Sequence, residues 1–356
     1  MAYSTISKPS LHFNTNLYTG NGSTQHSITG VGFQPDWTWI KSRDDTYNHF
    51  VFDAVRGVGK QIFPNLTNAE STNMNNLYSF NTDGFSLAQS GNDDVTNKNN
   101  SNFASWNWKA NGAGSANTDG GINSTVSVNN TAGFSIVKYG TGTGSATTVG
   151  HGLNAKPNFI IVKPLGTITT GGWIVGGDNI DSTYNNVLNL DESSAKANDP
   201  SFNDTAPTSS VFSVGNNNTN RSGENYIAYC FVEKKGYSKF GSYTGNGNAD
   251  GAFIYTGFKP AWVLVKCTST SADWELSDNK RTTSGGNVID KEVRPNTSAA
   301  ETGGTDGRYI DYYSNGFKLT QGFGNWNADG ETYIYIAFAE EPLVANVGSS
   351  IPATAR

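Results

Sequence analysis

The sequence predicts an all-β protein: three tandem antiparallel β-sandwich repeats, jelly-roll-like and about 100 residues each, with short N- and C-terminal arms. Two observations carry this. One pattern recurs three times, as LYTGNGSTQHSITGVGFQPDWTWIKSR (Leu17–Arg43), VKYGTGTGSATTVGHGLNAKPNFIIVKP (Val137–Pro164) and FGSYTGNGNADGAFIYTGFKPAWVLVKC (Phe240–Cys267). The apolar runs are also short, rich in Val, Ile, Tyr, Phe and Trp, and bounded by Gly/Asn/Asp clusters, which is the pattern of strands.

Each repeat opens on a Gly-rich loop and passes through a short apolar run to a turn ending in proline. A second apolar run closed by lysine follows. Counting from Pro35, Pro157 and Pro260, a large aromatic stands two positions on (Trp37, Phe159, Trp262) and a lysine six positions on (Lys41, Lys163, Lys266). A further apolar segment comes next, at His49–Val55, Trp173–Val175 and Trp274–Leu276. Then come GFSL at Gly84–Leu87, VFSV at Val211–Val214 and GFKL at Gly316–Leu319. The aromatic runs Phe103–Lys109, Tyr226–Val232 and Tyr333–Ala339 close the units. The prolines are a domain's length apart, not the roughly 20–50 residues of a solenoid repeat. The repeats are set at 17–110, 134–234 and 238–342. Residues 1–16 are read as an N-terminal docking arm, 111–133 as a Gly/Ser/Asn-rich flexible linker, and 343–356 as a C-terminal tail.

Alternation assigns faces. Trp37, Trp39 and Lys41 share one side of their strand, as do Trp262, Leu264 and Lys266, while Val263 and Val265 take the other. Trp106/Trp108, Tyr229/Phe231 and Ile336/Phe338 likewise share a side. Both faces are apolar, so these strands are expected to be central, with the aromatics filling the core of a two-layer sandwich. Ser193–Asn198 has room for one helical turn at most.

Composition fits this class: 41 glycines and 12% aromatics against 15% charged residues. The net charge is −6, and Lys234-Lys235 and Lys280-Arg281 are the only adjacent basic pairs, so no nucleic-acid partner is expected. The first residues lack the basic and apolar regions of a secretory signal, and no run of about 18 apolar residues spans a membrane. Synthesis in a cytoplasm is the expectation. Cys230 and Cys267, in different units, read as buried free thiols.

Catalytic constellations are not found. His12, His26, His49 and His151 do not recur at equivalent places, and three of them lie in the arm or in turn-rich sequence. Gly20-Asn21-Gly22 and Gly245-Asn246-Gly247 lack a following helix to hold a phosphate and read as turns. Asp44-Asp45, Asp93-Asp94, Asp178, Asp181 and Asp191 read as turn residues rather than a glycosidase pair. A structural Ca²⁺ at Asn92–Asn97 is the one metal reading, without the glutamate and spacing of an EF-hand. No catalytic, cofactor-binding or metal residue is assigned.

Gly241–Lys266, Asp119–Gly144 and the ending YIAFAEEPLVANVGSSIPATAR resemble the tail-fibre-like and virion structural repeat proteins of marine and cyanobacterial tailed bacteriophages. The resemblance covers nearly the whole chain. It implies a non-enzymatic virion component, assembled in the host bacterial cytoplasm and exposed on the particle. The first expectation is a tail fibre or tail-associated host-attachment protein. It would contact other virion proteins and bind host surface glycan through the loops Asn65–Asn76, Thr183–Thr208 and Arg281–Arg308, with Tyr184 among the candidates. A homo-oligomer, with a trimer favoured, goes with it. The alternative is a capsid decoration or cement protein, since three related units can form a pseudo-threefold body suited to a local threefold axis. A polysaccharide depolymerase is the remote third reading.

Overall fold

The computed structural model describes residues 4–88, 96–166, 171–215, 218–283, 288–303, 310–322 and 324–343. Nearly all regular structure is strand. The helical elements among the described residues are two short 3₁₀ turns, Pro9–Leu11 and Pro200–Phe202, and one helical turn, Gly324–Asn327. Ser193–Asn198 holds no helix; its end forms a short strand, Ala197–Asn198.

Four strands of each unit form an inner sheet with one order. The lead strands are Phe13–Thr19, Phe134–Tyr139 and Ser238–Thr244. Each pairs antiparallel with the closing strand, Asn102–Trp108, Tyr226–Phe231 or Thr332–Pro342. The closing strand pairs with the proline strand, Trp37–Ser42, Phe159–Pro164 or Phe258–Cys267. The proline strand pairs with a return strand, Phe50–Asp53, Ile174–Gly177 or Glu275–Asp278. The smaller outer sheets comprise His26–Thr29, Gly84–Leu87 and Leu77–Asn81 in the first unit, Thr147–Gly150 and Val211–Val214 in the second, and Phe253–Tyr255, Gly316–Leu319, Ile310–Tyr313 and Val288–Ile289 in the third.

Two boundaries shift. The first lead strand begins at Phe13, pairing with Trp108, so the arm proper ends at His12 rather than at residue 16. The segment 111–133 is not a free linker. Ser115–Asn117 and Ser124–Asn129 are strands added to the edge of the second inner sheet, with Val126 opposite Val137. Its Gly/Ser/Asn content masked the short alternation of Val126 and Val128, which satisfies the backbone groups of an otherwise open edge.

The glycine loops have a local cause that recurs. Asn97, Asn220 and Asn327, all fully buried, each accept a backbone N–H from the loop, at Asn21 (3.1 Å), Thr143 (2.8 Å) and Asn246 (2.9 Å). The residue after each of these asparagines runs so close to the loop that a Cβ on Gly20, Gly142 or Gly245 would lie 2.1 Å from its backbone oxygen, which no side chain tolerates.

The two faces of the inner sheets go to different cores. Ile40, Phe50, Phe52 and Phe103 meet the outer sheet in the first unit, as do Val137, Ile160 and Cys230 in the second and Val263, Val265 and Tyr335 in the third. The opposite faces, bearing Trp37, Trp39, Trp106 and Trp108, then Phe159, Tyr229 and Phe231, then Trp262, Ile336 and Phe338, merge into one core common to all three units. The tryptophan face therefore does not fill its own sandwich, as alternation alone led one to expect. Trp37 lies 4.7 Å from Tyr229, Trp108 lies 5.6 Å from Trp262, and Phe231 lies 6.0 Å from Phe338, between ring centroids. Such ring pairs add about 0.5–1.5 kcal/mol each beyond the burial of their area.

Candidate functional site

Most residues with chemistry are committed to holding this assembly together, and the contacts between units repeat around a ring. The residue before each return strand is His49, Trp173 or Trp274. Each directs a ring nitrogen to a backbone carbonyl of the neighbouring unit: His49 Nε2 to Arg294 O (3.1 Å), Trp173 Nε1 to Phe63 O (2.8 Å) and Trp274 Nε1 to Asn189 O (2.8 Å). The three carbonyls are themselves equivalent, each following the residue that faces the middle of the return strand: Ile62 opposite Val51, Leu188 opposite Val175, Val293 opposite Leu276. Two positions beyond the lysine, the carbonyls of Arg43, Leu165 and Thr268 accept the amides of Glu301, Glu70 and Lys196 at 2.9–3.0 Å. First unit to third, third to second, second to first: the ring is closed in one sense.

The recurrent lysines belong to the same seams. Lys163 Nζ donates to Thr67 O, Pro164 O and Gly171 O, and Lys266 Nζ to Ser193 O, Cys267 O and Ala272 O, so each reaches the preceding unit. Lys41 instead stays within its unit, on Ser42 O and Asp45 O. Burial draws all three ammonium groups down to about 8.

Buried ion pairs occupy two seams. Asp53 and Arg56 pair at 2.5 Å, with Tyr229 O–H of the second unit donating to Asp53 at 2.8 Å. Asp278 and Arg281 pair at 2.6 Å, with Trp106 Nε1 of the first unit donating to Asp278 at 2.9 Å. Register makes Gly177, Ile180 and Ile336 the matching residues of the third seam, which is apolar there.

The histidines are structural. His49 is fully buried; its Nδ1 accepts Trp39 Nε1–H (2.9 Å), leaving Nε2–H for Arg294 O, and burial holds its pKa well below 6.5. His151 takes Leu153 N–H on Nδ1, and burial brings it down to about 4. His26 meets Asn97 and His12 meets Asn129. The suspected acids hold groups of their own units: Asp181 caps a local turn at Thr183 and Asn186, while Asp44 reaches across to Asn102, Asp45 to Ser101 and Lys98, and Asp191 to Trp173 N–H. Asp93-Asp94 and most of Asn92–Asn97 lie outside the described residues. Among the described residues no group of three or more His, Cys, Asp and Glu could hold a metal.

The loops expected to meet a host are partly used inside the molecule. Glu70 and Lys196 lie within Asn65–Asn76 and Thr183–Thr208, and Glu301 lies in the described part of Arg281–Arg308; all three are ring contacts. Tyr184 is fully buried against Phe202, not a surface platform. One cluster escaped the sequence reading. Glu275 and Glu292, both buried, share Arg294, while Asn325 donates to Glu275 (2.6 Å) and Trp326 Nε1 to Glu292 (3.0 Å). Burial pushes both carboxyls up. Units one and two have Phe50/Gln61 and Ile174/Val187 there, so no repeat signal marked the site.

One family's sequence pattern matches residues 8–342, from the 3₁₀ turn of the arm to the last closing strand. The chain belongs to a family of domains of unknown function, DUF7483. The DUF7483 match embraces all three sandwiches at once, which agrees with a ring whose units share one core. No curated protein matches the chain.

Proposed function

We propose that this protein is a non-enzymatic structural component of a bacteriophage particle, acting as a tail-associated host-attachment body. The observation that carries the reading is the closed pseudo-threefold ring. Ring contacts at equivalent positions bind three sandwiches around one aromatic core, giving a rigid platform from which the outer sheets and their loops face outward. The commitment of His49, His151, the three lysines and the buried Asp–Arg pairs to internal bonds supports a scaffold rather than a catalyst. The sequence resemblance to virion repeat proteins supports the location.

The same closure favours a second reading, a capsid decoration protein. One chain with three similar faces matches a local threefold axis without three copies. Sedimentation of the purified protein separates a single 38.0 kDa chain from the homotrimer expected of a fibre. Cryo-electron microscopy of intact particles tests both readings. Density on the tail supports attachment, density on capsid threefold axes supports decoration, and absence from the particle overturns both.

A further inference from the structure

The ring has three seams, and the one between the first and third units holds a cavity. Where the third unit's lead strand meets the second unit, the space between Phe159, Gly177, Phe240 and Ile336 is reduced to about 10 Å³. Where the first unit's lead strand meets the third unit, a cavity of about 230 Å³ opens at the corresponding residues Thr15, Ala261 and Lys280 and extends along Phe13, Asn14 and Glu340. Register accounts for the difference. Thr15 stands where the second seam has Phe240, and Ala261 stands where the other units have Asp36 and Asn158.

Asp36 and Asn158 show what normally fills the position. Asp36 accepts the amides of Ala110 (2.7 Å) and Gly112 (3.1 Å). Asn158 accepts the amide of Glu233 (2.8 Å), and its own carboxamide N–H donates to Asp178 (3.3 Å). The counterpart of Asp178 in the third unit is Asn279; the amides of the two are held alike, on Asn158 O and Ala261 O. With Ala261 opposite, Asn279 Oδ1 is buried with no hydrogen-bond partner, and Thr15 Oγ1, on the other wall of the cavity, is in the same state. Buried polar atoms left unpaired are destabilising, and a ligand with matching groups recovers that loss. Phe13 and Ala339 form the apolar part of the wall, and Glu340 and Glu341 stand at the rim beside Lys280.

We propose that this seam cavity binds the acetamido group of an N-acetylated sugar, whose amide takes the place that the Asn158 carboxamide fills in the second unit. An amide N–H reaches Asn279 Oδ1 as Asn158 reaches Asp178. The Thr15 hydroxyl meets the amide oxygen or a ring hydroxyl, and the methyl group lies against Phe13 and Ala339. Glu340 is paired with Lys259 at 2.8 Å, so the rim offers no surplus of positive charge to an anionic ligand. The volume, below the roughly 300–1,000 Å³ of sites for drug-sized ligands, limits the occupant to one terminal residue. The inference rests on the attachment reading only for the source of the sugar, a host surface glycan.

The test uses the full-length purified protein, so that it stands apart from particle location. N-acetylglucosamine and glucose are titrated into the millimolar range while amide chemical shifts are followed. Saturable shifts near Thr15 and Asn279 with N-acetylglucosamine, at least tenfold weaker with glucose, are expected. Ala261→Asn, which installs the side chain of the second unit, should abolish them while keeping or raising the melting temperature. Asn279→Ala, which removes an unpartnered oxygen, should weaken binding at least tenfold in a folded protein. Equal response to both sugars, no response in the wild type, or undiminished binding by a folded Ala261→Asn variant overturns the proposal. Binding by a protein that proves absent from the tail would leave this site standing and remove only the attachment reading.

Discussion

Replacing Arg56 should be among the most damaging single changes in this protein, and replacing its whole neighbourhood should be far milder. The Arg56 side chain is fully buried. Its Nε pairs with Asp53, Nη2 caps Val51 O at 3.0 Å, and Nη1 reaches Lys60 O at 3.2 Å and Glu70 at 3.3 Å. Arg56→Met leaves the Asp53 carboxylate buried with the amides of Val55 and Arg56 and the Tyr229 hydroxyl, but without a countercharge. Breaking a buried pair in this way costs about 3–5 kcal/mol. The seam without a buried ion pair supplies the control: its residues at the four matching positions are Gly177, Ile180, Lys196 and Ile336, with Lys196 Nζ donating to Ile180 O at 2.9 Å. The combined variant Asp53→Gly, Arg56→Ile, Glu70→Lys and Tyr229→Ile copies that chemistry. It should recover at least about 2 kcal/mol of the loss, since buried ion pairs exchanged for packed apolar groups are often neutral. Urea denaturation followed by tryptophan fluorescence reads both variants at constant slope. A combined variant as unstable as Arg56→Met would refute the equivalence of the seams.

Further outcomes follow from the same contacts. Full-length protein should melt in one calorimetric transition. Residues 238–343 alone should fail to fold and should bind a hydrophobic dye, because Trp262, Ile336 and Phe338 lose their partners in the shared core. Trp173→Phe and Trp274→Phe should each cost about 0.5–1.5 kcal/mol, read by denaturation, by removing one hydrogen bond from the carbonyls of Phe63 and Asn189, which keep the local amides of Leu66 (3.0 Å) and Glu192 (3.5 Å). Stability should rise from about pH 8 to about pH 10 in pH-dependent denaturation. Over that window Lys41, Lys163 and Lys266 have already lost their protons in the folded state, whereas unfolded lysine still holds its own near 10.5. On the acid side stability should fall as pH drops below 6.5, where unfolded His49 and His151 gain protons that the folded ring refuses; His49→Gln should make this limb shallower and leave the share of His151.

Much of the unit was legible in the sequence because it is local. The proline-aromatic-lysine spacing marks a strand whose register with the closing strand is the same in all three units, and the paired GNG loops mark turns. The buried asparagines Asn97, Asn220 and Asn327 recur with equal fidelity, yet they sit in polar surroundings where Asn is common, so nothing singled them out. The segment 111–133 was misread for a related reason: its strands lie at a sheet edge, where alternation is weak and turn residues are frequent. The hollow seam was invisible, since Thr15 and Ala261 signify only as departures from Phe240 and Asn158.

The sequence by itself determined that the chain is all-β, that one strand pattern recurs in it three times, and that the central strands of that pattern have two apolar faces. It did not determine which apolar face meets which partner, because hydrophobic burial is non-directional and either face satisfies it. Only the tertiary structure decided that the tryptophan faces converge on one another and that the ring closes. The bonds that close it join residues such as His49 and Arg294, or Tyr229 and Asp53, which are remote along the chain and meet only once all three sheets have formed.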